Sequence, residues 1–215
     1  MRDIPMFTTE YGVASLVLRE IPYRQEAYIR LRDTAHPEEF LAECVQFCHM
    51  AGAEKIYATG HAWLEIYPLH TAVWRMQRSM DGLLDTDAMT FPVTEQTLQR
   101  WRKLYNDAMA NVPNASYMDE KDANEMLSRG DGYFVHRDGQ LLGIGMAAVD
   151  TVKAVVACQA GCGQDVLLAL THALSGEQVV LEVASENICA VRLYERMGFI
   201  KTAEVSRWYN VVKLL

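Results

Sequence analysis

Residues 181–199 read LEVASENICAVRLYERMGF. Leu181 and Val183 alternate with Glu182 as apolar and polar residues do along a strand. Asn187 offers a side-chain oxygen to the first turn of a helix. Ala190, Leu193, Tyr194 and Met197 then recur at the spacing of one helical face. Gly198 stands where a helix ends in a left-handed turn, and Phe199 opens another apolar run. The stretch is a strand, a capped helix and a return turn. It sets an amide, Asn187, at the mouth of a strand-to-helix turn, and a phenol, Tyr194, one to two turns further on.

The elements on either side extend this pattern. Upstream, Lys153 to Cys158 reads as a strand and VLLALTHAL, from Val166, as a helix. Between them lies Gly161-Cys162-Gly163-Gln164-Asp165. A helix start carries unpaired N–H groups and the positive end of the dipole, and glycines let that backbone approach an anion. Earlier still, GYFVHRDGQLLGIGMAAV reads as a hairpin turning at Arg137-Asp138-Gly139. Before it come two helices. One follows Thr94 with Leu98, Trp101, Leu104, Tyr105 and Ala108 inward; the other is capped by Asp119 and stopped by Gly130. Downstream, FIKTAEVSR and YNVVKLL read as two closing strands.

Asn187, Ala190, Tyr194, Gly198 and Phe199, with the order of elements around them, resemble the GNAT superfamily of acetyl-CoA-dependent N-acetyltransferases. The missing first strand of that order is met by Met89 to Pro92, so the resemblance covers about residues 89–215. It implies an α/β fold with a mixed, splayed sheet flanked by helices. It also implies a cleft between the 153–158 and 179–185 strands that takes acetyl-CoA as co-substrate.

The resemblance assigns roles residue by residue. Tyr194 becomes the general acid for the departing thiolate, Asn187 a contact to the pantetheine arm, and the loop Cys158, Gly161, Cys162, Gly163, Gln164 and Asp165 the phosphate grip. Val156 stands for the backbone donor of the 153–158 strand that would polarise the thioester carbonyl. The family loop carries Arg or Gln where this chain has Cys158, and Asp165 adds a negative charge at the helix start. Two carboxylates are open as the general base, Glu182 and Asp150. The acceptor is a small-molecule or peptide amine. A non-catalytic module that binds coenzyme A or a partner is the alternative.

The bulk numbers bound the rest. The 215 residues carry a net charge of −8, which disfavours nucleic acid as a partner. No apolar run spans a bilayer and the N-terminus has no signal-like apolar stretch, so a cytoplasmic location without a membrane partner is expected. A homodimer is compatible with the sequence. The five cysteines include the pairs Cys44/Cys48 and Cys158/Cys162, four apart. Without a Cys-x-x-Cys knuckle these read as free thiols, and no metal is expected. Cys162 and Cys189 sit near helix starts, but no adjacent His completes a nucleophilic pair.

Residues 1–88 form a smaller α/β half. Two alternating strands join through Pro22-Tyr23-Arg24, a helix opens at Pro37 and ends at Gly52, and strands follow at Lys55–Ala58 and LHTAVWRMQ. This half is open to reading as a degenerate GNAT-like unit. Met80 to Pro92 reads as the linker.

Overall fold

The computed structural model describes residues 3–212. In chain order its strands are β1 (Ile4–Thr9), β2 (Gly12–Val17), β3 (Glu26–Thr34), β4 (Lys55–Thr59), β5 (Leu69–Ser79), β6 (Met89–Pro92), β7 (Gly132–Arg137), β8 (Gln140–Ala148), β9 (Thr151–Ala157), β10 (Gln178–Ala184) and β11 (Ile200–Asn210). The helices are α1 (Ile21–Arg24), α2 (Pro37–Met50), α3 (Leu98–Met109), α4 (Glu120–Arg129), α5 (Gly163–His172) and α6 (Ile188–Arg196), with a 3₁₀ turn at Ala62–Ile66. The chain forms a mixed α/β structure, as the sequence pattern predicts.

It divides into two compact units, Met1–Val73 with Glu204–Leu215, and Trp74–Ala203. The boundary expected at residue 88 falls within the second of these, and β5 and β11 each contribute residues to both. β5 ends beside β10, and β11 ends against β4, pairing Tyr209 with Ala58 and Asn210 with Tyr57. β11 is also a single strand, where two closing strands are expected from the sequence.

In the first unit the strand order is β1-β2-β3-β4-β11. α2 lays Phe40, Leu41, Cys44, Val45 and Cys48 on Ala14, Leu16, Ile29, Leu31, Ile56 and Ala58. Cys44 and Cys48 are fully buried there, and burial pushes both thiols up to about 12. Both read as small core hydrophobes. The strand β1 escaped the sequence reading, since its apolar residues do not alternate cleanly.

In the second unit the order is β5-β10-β9-β8-β7-β6. Met89–Pro92 is a strand, paired with β7, and not linker alone. Val166 to Thr171 are all buried, so α5 is the central helix of this unit. It can lie close because β8 carries Gly143 and Gly145: a Cβ at Gly145 would meet Leu170 Cδ1 at 2.2 Å. α3 starts at Leu98, one turn after Thr94, and buries Trp101 against Phe134 and Ile144 on the opposite face of the sheet. The hairpin turn falls on Asp138 and Gly139, both with positive φ.

Candidate active site

β9 and β10 run parallel but pair at only two positions, Thr151 with Val180 and Val152 with Leu181. Both strands continue, to Ala157 and Ala184, without further pairing. A wedge therefore opens between Lys153–Ala157 and Glu182–Ala184. On its other edge β9 is paired with β8 along its length except at Lys153. Cys158 N–H donates to Leu142 C=O at 2.8 Å. Alternation along an antiparallel ladder then turns Val156 N–H toward β8 as well, and turns the N–H groups of Val155 and Ala157 toward the wedge. Val156, the expected carbonyl donor, thus turns its N–H to β8, while Val155 and Ala157 turn theirs to the wedge.

β9 also carries a bulge. Ala154 opposes Met146 and Val152 opposes Ala147, so Lys153 is the extra residue. Its ammonium reaches Asp131 Oδ2 at 2.7 Å. Arg129 Nε reaches the same oxygen at 3.1 Å. Nothing in the sequence ties Lys153 to Asp131, and this pair was missed.

The glycine loop follows β9 and leads into α5. Gly161 has φ +84°, and open space lies where its Cβ would be. Cys162 is the N-cap of α5 and makes no side-chain cap hydrogen bond. By contrast, Asp119 caps α4 and Asn187 caps α6. The Cys162 side chain thus leaves the first turn of α5 uncapped, as His36 and Thr97 leave those of α2 and α3. Asp165 does not stand there alone, because Arg137 Nη1 lies 3.3 Å from its Oδ2 and 3.3 Å from Asp87 Oδ1. Gln164 is exposed on the same turn. Cys158 is exposed; partial burial raises its thiol pKa, and the charge of Arg100 lowers it. Gln159 is tied to the Leu141 carbonyl at 2.8 Å.

Tyr194 lies on α6, 8 % exposed, packed against Phe199 at 5.9 Å between ring centroids. Burial pushes its phenol up to about 12. Asn187 Oδ1 accepts from Ala190 N–H at 3.4 Å, so the residue is a cap. Gly163 and Leu193 approach one another, a Cβ at Gly163 lying 3.2 Å from Leu193 Cδ2. α6 therefore packs beside the start of α5.

The two candidate bases separate. Glu182 stands on β10 just past the last pair, its carboxylate 2.9 Å from Arg75 Nη2 and both side chains exposed. Asp150 sits in the turn before β9, on the closed side of both paired positions. Its Oδ1 accepts from Thr151 Oγ1, and Gly176 packs on its Cβ. The structure brings Glu182 to the wedge and leaves Asp150 behind it. Cys189 is exposed at the start of α6. Among the described residues no group of three or more His, Cys, Asp or Glu is placed to hold a metal ion. No described helix is long and apolar enough to cross a membrane.

No protein-family model matches the sequence, and no curated protein matches it by sequence. Solved structures do resemble it. A GCN5-related N-acetyltransferase from Sphaerobacter thermophilus superposes with a TM-score of 0.58 at 12 % identity, over 92 % of this chain and 76 % of its own. A GNAT-family acetyltransferase from Colwellia psychrerythraea gives 0.51 at 14 %, over 95 % and 84 %. A tandem GNAT protein from the clavulanic acid biosynthesis pathway gives 0.50 at 13 %, over 93 % and 78 %. The chain has the GNAT fold, and the likeness extends well beyond residues 89–215.

Proposed function

We propose that this protein, with its GNAT fold, is an N-acyltransferase that uses acetyl-CoA and acetylates a primary amine by direct attack. The observation that carries this reading is the wedge between β9 and β10, opening beside a helix start that no side chain caps. The residues present fit an anionic, elongated co-substrate. The start of α5 offers N–H groups, Gly161 and Gly163 keep side chains out of their way, and Arg137 balances Asp165.

Acetyl-CoA, when bound, supplies the activated acetyl group. The chain's own residues do the rest. Val155 and Ala157 N–H point into the wedge and are suited to hold a carbonyl oxygen that gains negative charge. Glu182 takes a proton from the amine through water. It must exchange its contact to Arg75, an exposed pair of the kind worth ~0–1 kcal/mol. Tyr194 keeps its proton at neutral pH and presents it toward the departing sulfur. Burial raises the Tyr194 phenol to about 12, above an ordinary thiol, so full proton transfer to the thiolate is uphill. Tyr194 therefore acts chiefly as a hydrogen-bond donor, releasing its proton late.

A non-catalytic coenzyme A module is the second reading. Cys158 in place of a gripping Arg or Gln, and Glu182 held by Arg75, favour it. We also propose that the first unit is a degenerate GNAT-like unit, since β1-β2-β3-α2-β4 repeats the order and pairing senses of β7-β8-β9-α5-β10. The test is release of free thiol from acetyl-CoA with a panel of polyamines, aminoglycosides and amino acids. Amine-dependent release supports the enzyme. Saturable binding without release supports the module.

A further inference from the structure

The wedge needs a cause. Two parallel strands that start paired would ordinarily stay paired, because each position gained adds ladder hydrogen bonds. β9 leaves β10 at one residue, Lys153, directly after the pair Val152–Leu181. That residue is also the bulge against β8. The coincidence has a visible consequence for the side chains. Val152 and Val155, three apart, both belong to the core under α5, while Val156 belongs to the core under α3. Strict alternation forbids the first pairing, and one extra residue permits it.

An unanchored bulge can migrate along its strand, so something must fix it at position 153. Among the described residues its charged anchor is Asp131, whose side chain is 7 % exposed, while Lys153 retains 40 %. Asp131 is held in turn by the backbone, its C=O accepting from Ala147 N–H at 2.9 Å. Arg129, the last residue of α4, shares its carboxylate. A buried carboxylate left with one fewer cation loses much of its compensation, so the contact with Lys153 is directional and costly to break.

We propose that Lys153 is a positioning residue for the co-substrate cleft: held by Asp131 across β8, it fixes the bulge that makes β9 diverge from β10. Its relevance to acyl transfer rests on the function proposed above, whereas its effect on the backbone does not. The experiment therefore reads both. Amide hydrogen exchange is measured residue by residue on the full chain, and acetyl-CoA affinity by calorimetry, for the wild type, Lys153→Gln and Lys153→Arg. In the wild type, Val155 and Ala157 amides exchange ~10-fold or more faster than Val156 and Cys158, which are bonded to β8. Lys153→Gln erases that contrast and raises the acetyl-CoA Kd by ~10-fold. Lys153→Arg keeps both. If Lys153→Gln does not fold, Asp131→Asn, which keeps the shape and removes the charge, is read in the same way. An unchanged exchange contrast in the charge-removing variant overturns the proposal, whatever the ligand does. A wild type that binds no acetyl-CoA but shows the contrast, lost in Lys153→Gln, overturns the functional reading and leaves the bulge assignment standing.

Discussion

The two runs β1-β2-β3-α2-β4 and β7-β8-β9-α5-β10 follow one path and end differently. In each, three antiparallel strands lead through a helix to a strand parallel to the third. In each, the third strand carries a bulge, at Arg32 and at Lys153. The bulge at Arg32 comes late, after β3 and β4 have paired at five positions from Glu26–Lys55 to Arg30–Thr59. Beyond them the backbones still touch, for a Cβ at Gly60 would lie 2.2 Å from the Leu31 carbonyl oxygen. The bulge at Lys153 comes after two positions, and the strands part. The helix starts differ too. α2 opens on Pro37, which has no N–H, followed by Glu38 and Glu39. α5 opens on Gly163, with one acid that Arg137 balances. Shared topology thus gives a candidate site only where the bulge is early and the helix start is free.

The largest effect that tests this contrast is expected at Tyr194. Tyr194→Phe keeps the ring and removes the donor. Turnover on a confirmed acceptor should fall by ~10²–10⁴-fold, with acetyl-CoA affinity nearly unchanged. Unaltered turnover with chemistry rate-limiting would return Tyr194 to the core. Next is the helix start. Gly163→Val places a branched side chain at the first turn of α5 and should weaken acetyl-CoA by ~100-fold in a calorimetric titration. The mirror change in the closed run, Pro37→Gly with Glu38→Gln, should create no second site, because β3 and β4 remain zipped.

Alkaline pH separates the runs by their buried acids. The Tyr194 phenol is raised from 10.0 to about 12, so the folded state favours its protonated form. That stability is present below pH 10 and lost as pH rises toward 12, about 3 kcal/mol in all. Cys44 and Cys48, raised from 9.0 to about 12, begin to act one unit lower. Melting curves between pH 8 and 11 should show the wild type weakening from about pH 9. Tyr194→Phe should lose less above pH 10. A parallel decline of the two proteins would show that the phenol is not buried as described. The smallest effect concerns Cys44→Ala, which should cost about 1 kcal/mol in denaturant unfolding. Its acetyl-CoA affinity should match the wild type, since Cys44 belongs to the closed run; a weakened affinity would contradict that separation.

Much of this was legible in the sequence because local chemistry announces itself. Asn187 and Asp119 as caps, Gly130 and Gly198 as helix stops, Asp138-Gly139 as a hairpin and Pro37 as a helix opening all emerge where the residues predict. What was hidden depends on contacts across strands. The Lys153–Asp131 pair joins residues 22 apart through the width of β8. That the N–H groups of Val155 and Ala157, and not that of Val156, face the wedge follows from the register of β8, which no residue type encodes. Asp150 reads as a strand end, but only the pairing shows on which side of the fork it falls.

The proposed function requires one of the two similar runs to have opened into a co-substrate site. Calorimetric titration of acetyl-CoA into the wild-type chain tests it most directly. Saturable binding at one site per chain is expected, weakened ~100-fold in Gly163→Val and unchanged in Cys44→Ala. No saturable binding, or two sites per chain, would contradict it.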